Sequence, residues 1–186
     1  MNSARNSIPL ANDQLTWVFG YGSLIWRQEF PYLDAKRAWI DGFGRRFWQG
    51  SHDHRGRQDA PGRVVTLIES PGERCYGRAF LVSHDVFEHL DHREKNGYRR
   101  HELAIHFDEG AEAGVTYVAP HDNVAFLGAA PMNQMIAQIC ESSGESGANV
   151  DYVIELANAL RALSIDDPHV FEIEAALRRA LQHGAP

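Results

Sequence analysis

Two short stretches of the sequence carry side chains that could do chemistry. In FGYGSLIW, residues 19–26, Ser23 follows glycines at positions 20 and 22. In LDHREKNGY, residues 90–98, Glu94 stands just before an Asn-Gly pair. A hydroxyl among glycines suggests anion binding or nucleophilic attack, and a carboxylate suggests proton transfer.

Glu94 continues an apolar helical pattern. In a helix that begins near Asp85, Val86, Leu90 and Glu94 follow one another at i, i+4 spacing and share a face. A carboxylate there is poorly solvated or points into a pocket, and desolvation raises its pKa toward the range useful for acid/base catalysis. Alternatively, Glu94 forms a structural ion pair with a neighbouring arginine, which is a common role for such a group. The pattern alone leaves both interpretations open.

Three roles are open to Ser23. Its setting, G-Y-G-S-L, differs from the G-x-S-x-G nucleophile elbow, and no Asp/His order elsewhere identifies a catalytic triad. The flanking glycines permit close backbone approach, so successive N–H groups can converge on an anion. A simple turn at the end of a strand would need no ligand at all.

The histidines and glycines do not form a recognisable cofactor motif. His89 and His92 could share a helix face, but no H-E-x-x-H motif occurs and no third ligand has suitable spacing. The glycines at 20 and 22 form neither a phosphate-binding P-loop nor a dinucleotide fingerprint. We therefore expect no metal and no cofactor.

The bulk composition narrows the range of partners. The 186 residues are enough for one domain with a real core. A net charge of −7 disfavours a general nucleic-acid surface, whereas local arginine clusters suit an anionic small molecule. Cys75 and Cys140 lack disulfide or zinc-site spacing, which favours a cytoplasmic location. We expect a small-molecule substrate and no nucleic-acid or membrane partner, and the oligomeric state stays open.

The order of the predicted elements indicates an α+β fold. A turn at Pro71 and Gly72 separates two predicted strands, Asn149 and Asp167 are predicted helix caps, and Pro168 suits a first helical position. The strands precede the helices, which indicates a strongly bent sheet or small barrel followed by a helical C-terminal third. Strands are predicted at 15–21, 37–50, 64–68, 76–82, 98–107 and 115–118, and helices at 83–94, 131–140, 149–163 and 168–182.

The chain is predicted to form one folded unit. Residues 1–14 are polar and scattered, without the apolar core of a signal peptide, and we expect them to be a flexible N-terminal leader. Residues 15–186 are predicted to form a single domain, because no long linker, repeat or low-complexity tract divides them. No apolar run approaches transmembrane length.

The motifs together resemble a known family. FGYGSLIW, HDHRGRQDAPGRVVTL, GRAFLV, LDHREKNGY and VTYVAP occur in an order similar to that of the ChaC-like γ-glutamylcyclotransferases, in the branch associated with glutathione degradation. The later stretch SSGESGANVDYVIELANALRALSIDDPHV is also similar to that branch. The resemblance extends over most of the chain. Each motif is weak alone, whereas their order is specific.

The resemblance implies a fold and a set of site residues. The fold would be a small mixed β-barrel surrounded by helices, with no metal. Glu94 would be the catalytic glutamate, and Tyr98 and Tyr117 would lie near the substrate. The family's γ-glutamyl pocket would be lined here by Gly20, Tyr21, Gly22, Ser23, Leu24 and Ile25.

The implied reaction is the cleavage of glutathione to 5-oxoproline and Cys-Gly, in which the substrate's α-amine attacks its own γ-amide carbonyl. Glu94 would act first as general base and then as general acid. Two alternatives remain: a cyclotransferase or aminoacyltransferase for other γ-glutamyl amides, and a non-catalytic γ-glutamyl-binding module. The sequence also leaves open whether the polar loop at 51–62, with Arg55 and Arg57, contacts the leaving group.

Overall fold

The computed structural model describes residues 15–87, 90 and 98–184. A short 3-10 helix spans Ser23–Ile25, and Val86, Phe87 and Leu90 are helical. None of the helices in these ranges is long and apolar enough to cross a membrane. The strands are β1 (Leu15–Gly20), β2 (Asp34–Ser51), β3 (Gly62–Ser83), β4 (Arg99–Phe107), β5 (Gly110–Val118), β6 (Ser143–Gly144) and β7 (Gly147–Ala148), and the longer helices are α1 (Met132–Glu141), α2 (Asn149–Ala162) and α3 (Pro168–Gln182).

Five of the strands close into a barrel in the order β1-β3-β2-β4-β5. Strands β1 and β5 run parallel, with Trp17 opposite Gly114, and the other neighbours in the barrel are antiparallel. A mixed barrel followed by a helical C-terminal part confirms the predicted α+β class. The predicted leader at 1–14 lies outside the described residues, and the division of the chain into leader and domain stays a prediction.

The segment around Pro71 and Gly72 differs from the prediction. It does not separate two strands, because β3 continues from Gly62 to Ser83 along its partner β2. Asp41 pairs with Arg74 and Phe43 pairs with Glu69, so several residues of β3 lie opposite Gly42 alone. Gly42 and Gly72 have φ angles of 81° and 86°, which glycine adopts without a steric penalty. The turn residues therefore form an irregularity within a long ribbon.

The helices cover the barrel with apolar side chains. Ile139 of α1, Leu156 of α2 and Ile173 of α3 are fully buried in one cluster that also contains Phe19 and Phe47 of the barrel. A second cluster is formed by barrel residues and the helical segment near residue 87. It holds Val86, Phe87 and Leu90 together with Leu24 and Tyr117.

The two predicted helix caps have different outcomes. Asp167 accepts a 3.1 Å hydrogen bond from the N–H of Val170 at the start of α3, as predicted, and Pro168 occupies the first turn. Asn149 is not the cap of α2, which begins after Ala148. The Asn149 side chain is buried and bonds both main-chain groups of Arg63, at 2.7 and 2.8 Å. These two bonds join the start of β3 to α2. They also give both polar atoms of the buried amide a hydrogen-bond partner.

Candidate active site

The residues predicted to bind the γ-glutamyl group lie near one end of the barrel. Gly20 ends β1 and Tyr117 is near the end of β5, and these parallel strands carry the chain to the same end. Tyr98 comes immediately before β4, the antiparallel neighbour of β5. The three positions are far apart in sequence, and the closure of the barrel places them around one opening.

A small cavity of about 50 Å³ is found at this end. Most of the predicted set lines it, including Tyr98 and Tyr117. Ile25 does not, because its side chain is buried among core residues instead. The lining consists of Phe19, Gly20, Tyr21, Gly22, Ser23, Leu24, Val65, Tyr98, Tyr117 and Tyr152.

Residues 20–26, which we call the glycine-serine loop, are held by Tyr21. The Tyr21 hydroxyl donates a 2.7 Å hydrogen bond to the carbonyl oxygen of Tyr117. The Tyr21 carbonyl in turn accepts a 2.7 Å hydrogen bond from Nε of Arg45. Both bonds are buried, so the loop is fixed to β5 on one side and to β2 on the other.

Arg45 links the glycine-serine loop to helix α3. Its side chain is completely buried, and its remaining guanidinium donors reach Asp167 and the carbonyl oxygen of Tyr76. The same Asp167 caps α3 through Val170. A planar guanidinium can bond three groups in fixed directions, which a lysine ammonium on a flexible stem does less well. Arg45 therefore sets the position of the loop relative to the barrel and the helix.

The glycines of the loop leave the small cavity open. A Cβ atom on Gly22 would lie 3.0 Å from the Tyr152 hydroxyl and 3.1 Å from Cγ2 of Val65. A Cβ atom on Gly20 would lie 2.8 Å from Cβ of Leu24. Side chains at these positions would crowd the lining, so the sequence G-Y-G permits the close approach of backbone and ligand.

A large cavity of about 730 Å³ adjoins the small one. Ser23, Tyr98 and Tyr152 line both cavities. The large cavity is lined by residues of the 51–62 loop, whose contact with the leaving group the sequence left open, and by Val124 and Ala125. A ligand with one end in the small cavity would thus extend past the 51–62 loop.

Arg55 forms part of the wall of the large cavity. Its side chain is only 8% exposed and forms a 3.1 Å ion pair with Glu155 and a 3.0 Å hydrogen bond to the Ala148 carbonyl. Its guanidinium carbon lies 5.8 Å from the ring centre of Tyr152, within cation–π range. Arg57, by contrast, is exposed. Arg55 is therefore part of the wall and not a solvated loop charge.

The thiols are not activated nucleophiles. Burial raises the pKa of the Cys75 thiol to about 11, and burial also raises the pKa of the Cys140 thiol. A raised pKa keeps a thiol protonated near neutral pH. Among the described residues, no group of three His, Cys, Asp or Glu side chains could hold a metal ion.

The predicted catalytic residue, Glu94, lies outside the described residues. The flanking parts of its motif are described on both sides. Leu90 is buried in the cluster that contains Leu24 and Tyr117, and Tyr98 lines both cavities. The assignment of Glu94 stays a prediction.

Sequence reasoning missed Tyr152, Val65 and Arg45. Tyr152 and Leu156 stand at i, i+4 spacing on the buried face of α2, and a tyrosine in such a stripe is a signal that its hydroxyl meets a polar partner. That hydroxyl accepts a hydrogen bond of 3.4 Å from the N–H of Val65. Arg45 gave no such signal, because an arginine in a strand is usually exposed.

Comparison with known proteins identifies the class to which this barrel and its cavities belong. The family model for ChaC-like proteins matches residues 16–180. The chain therefore belongs to the ChaC-like protein family.

Several relatives are similar along nearly their whole length. A γ-glutamylcyclotransferase 2-3 from Arabidopsis thaliana is 40% identical over 178 residues, with 89% of each chain covered. A glutathione-specific γ-glutamylcyclotransferase 1 from Danio rerio is 39% identical over 180 residues, with 90% of this chain and 91% of the relative covered. The crystal structure of a γ-glutamyl cyclotransferase specific to glutathione from yeast superposes with a TM-score of 0.85 at 28% identity, covering 94% of this chain and all of that one.

Proposed function

We propose that this protein is a glutathione-specific γ-glutamylcyclotransferase, a lyase that converts glutathione to 5-oxoproline and Cys-Gly. The substrate's α-amine attacks the γ-amide carbonyl, and Glu94 transfers the protons. The named activities of the relatives from Danio rerio and yeast support this proposal, because the similarity extends over about nine-tenths of the chain.

The observation that carries the proposal is the junction of a small and a large cavity at Ser23, Tyr98 and Tyr152. A γ-glutamyl amide has a compact amino-acid head and a leaving group joined at one amide bond. The small cavity has room for one end of the head, such as its α-carboxylate, and the leaving group suits the large one. The amide bond would then lie at the junction.

The chemistry needs no nucleophile from the protein. The α-amine and the γ-carbonyl are parts of one molecule, so their encounter is intramolecular and the protein has only to hold the productive rotamer. A new C–N bond closes the five-membered lactam, and the amide C–N bond to the leaving group breaks. The α-ammonium loses two protons as it becomes the lactam N–H, and both end on the departing nitrogen, which leaves as an ammonium, so the reaction consumes no water and no cofactor.

The glycine-serine loop is assigned to anion binding. We propose that its backbone N–H groups, together with the Ser23 hydroxyl, hold the α-carboxylate or the oxygen that gains charge in the transition state. Loss of one such donor costs about 3 to 4 kcal/mol in other enzymes. The bonds from Arg45 and to Tyr117 support this role, because they fix the loop before a ligand binds.

Glu94 is assigned as the general base and then the general acid. Two neighbours in its motif support the assignment: Leu90 is buried beside Leu24 and Tyr117, and Tyr98 lines the junction. Glu94 stands between them in the sequence.

The test is 5-oxoproline release from glutathione, measured by mass spectrometry on the purified protein. Glu94→Gln should reduce kcat by about 10²- to 10⁴-fold, which is the usual contribution of general acid/base catalysis. Glu102→Gln is the matched control, because Glu102 is an exposed acid on β4, and it should keep full activity. Near-normal turnover by Glu94→Gln would refute the catalytic assignment.

The same assay separates the alternatives. An enzyme for other γ-glutamyl amides would release 5-oxoproline from γ-Glu-Ala or a γ-glutamylamine faster than from glutathione. A non-catalytic binding module would bind a γ-glutamyl compound without releasing 5-oxoproline from any of them.

We also assign the enzyme to the cytoplasm. Cys75 and Cys140 are both unbridged, and Cys75 is buried beneath the barrel surface, which is usual for proteins of a reducing compartment. Cell fractionation with an antibody to the protein tests this part.

A further inference from the structure

We propose that the large cavity also admits glutathione whose sulfur carries an apolar substituent, so that the enzyme cleaves glutathione thioethers as well as glutathione. This inference rests on the proposed function and extends its substrate class. It concerns the leaving-group side of the site alone.

The position of the sulfur follows from the order of the two cavities. With the α-carboxylate end of the head in the small cavity, every atom beyond the scissile bond lies in the large one. The cysteine side chain branches from the first carbon after the amide nitrogen, so its sulfur stays near the junction at Tyr98 and Tyr152. Any group attached to that sulfur extends into the large cavity.

The large cavity has more room than Cys-Gly needs. Its volume of about 730 Å³ falls in the range of roughly 300–1,000 Å³ that holds drug-sized ligands, and a dipeptide is smaller than these. The remaining space is where a substituent would lie.

Part of the lining is apolar. Trp26 and Tyr152 pack edge to face, with ring centres 5.5 Å apart, and both rings line the cavity. The indole N–H of Trp26 donates a 3.0 Å hydrogen bond to Glu155, which also pairs with Arg55. The polar atoms behind these rings thus have partners, and the ring surfaces are available for apolar contact.

Val124 is a further apolar residue of the lining. Its side chain is fully exposed, and it lines the cavity. Its neighbours are fixed: the N–H of Gly50 donates to the Ala125 carbonyl at 2.7 Å, and the Ala125 N–H donates to Asn123 at 2.9 Å. An exposed valine in the cavity lining is covered when an apolar ligand group binds against it, and this contributes hydrophobic free energy.

The reaction on a thioether is the same cyclisation. The γ-amide C–N bond breaks, the lactam C–N bond forms, and both protons that the α-ammonium loses move to the departing nitrogen. The products are 5-oxoproline and the S-substituted Cys-Gly, and the C–S bond is untouched. No further reactant is required.

The test compares kcat/KM for glutathione, S-methylglutathione and S-hexylglutathione, with 5-oxoproline as the readout. The unaltered protein should cleave S-hexylglutathione with a kcat/KM at least comparable to that for glutathione, because contact of the hexyl chain with the apolar part of the lining contributes favourable free energy. Turnover of glutathione without turnover of S-hexylglutathione would overturn the inference and leave the proposed function intact. Absence of turnover with glutathione itself would refute the proposed function.

A pair of variants tests the assigned surface. Val124→Ser should lower kcat/KM for S-hexylglutathione by about threefold to tenfold more than it lowers the value for glutathione, because it removes apolar contact with the hexyl group. Leu181→Ser, which alters an exposed apolar residue of α3, should change neither value. An equal effect of Val124→Ser on both substrates, or no effect on either, would show that the substituent does not bind there.

Discussion

Nε of Arg45 donates a 2.7 Å hydrogen bond to the carbonyl oxygen of Tyr21, joining a completely buried cation to the loop that lines the small cavity. Asp167, which is 14% exposed, balances the charge. The loop is therefore positioned by a residue that does not line either cavity of the site.

Replacing Arg45 should affect both stability and activity. Arg45→Met leaves Asp167 and two carbonyl groups without their donor, and loss of one partner of a buried pair typically costs about 3 to 5 kcal/mol of unfolding free energy. Urea denaturation measures this cost. Arg74→Met is the control, since Arg74 forms an exposed pair with Asp41 and its loss should leave the denaturation midpoint nearly unchanged.

The Arg45→Lys variant separates positioning from folding. Lysine keeps the charge near Asp167 but lacks the planar fork that also reaches Tyr21. We expect a folded protein whose kcat/KM for glutathione is at least about tenfold lower, because small displacements of binding groups are costly. A folded variant with unaltered kinetics would contradict the positioning role.

Ser23→Ala distinguishes the anion-binding loop from a serine nucleophile. If backbone N–H groups hold the anion, the variant should bind glutathione more weakly or turn it over more slowly, yet retain measurable activity. Steady-state assay of 5-oxoproline gives this result directly. Total loss of activity, together with a γ-glutamyl adduct on Ser23 in the unaltered protein by intact-mass analysis, would instead support the nucleophile.

His169 should make the stability depend on pH. Burial lowers the pKa of its imidazole to about 4, and the positive charge of Arg46 acts in the same direction, while Asp167 opposes it. The N–H of Phe47 donates to the neutral ring at 3.2 Å. The unfolded chain binds this proton near pH 6.5 and the folded protein near pH 4, so the unfolding free energy should fall as the pH drops through this interval, by on the order of 3 kcal/mol.

The control for this prediction is His169→Gln. Glutamine can accept the hydrogen bond from Phe47 but does not titrate. Urea denaturation of both proteins between pH 7 and pH 4 should give a flatter dependence for the variant, because carboxylates common to both proteins cancel in the comparison. Parallel curves would show that His169 contributes nothing.

The sequence predicted elements that depend on local pattern. Phe19 and Val18 belong to an apolar run that forms β1, and the i, i+4 stripe of Val86 and Leu90 is buried as expected. A break between two strands was predicted at Pro71 and Gly72, because these residues are common in turns. In the structure, pairing with β2 on both sides of them makes β3 one continuous strand.

The contiguous motif Gly20 to Leu24 lies at a cavity, and its role in binding the γ-glutamyl group stays a prediction. Distant residues that complete the lining were missed. Tyr152 and Arg45 join this motif only through the closed barrel and helix packing, and no local pattern specifies such contacts. Asn149 was misassigned for the same reason, since its partner Arg63 is 86 positions away.

Barrel closure also constrains the order in which this chain can fold. Trp17 of β1 cannot pair with Gly114 of β5 until about a hundred more residues have been synthesised. Strands β2 and β3 are neighbours in the chain and can pair early. The parallel seam between β1 and β5 should therefore be a late event. An interrupted or slowed nascent chain would leave one edge of the apolar strand β1 unpaired, because β3 covers only its other edge, and would expose that edge to aggregation. Pulsed hydrogen exchange during refolding should protect the amides of the β2–β3 ribbon before those of the seam.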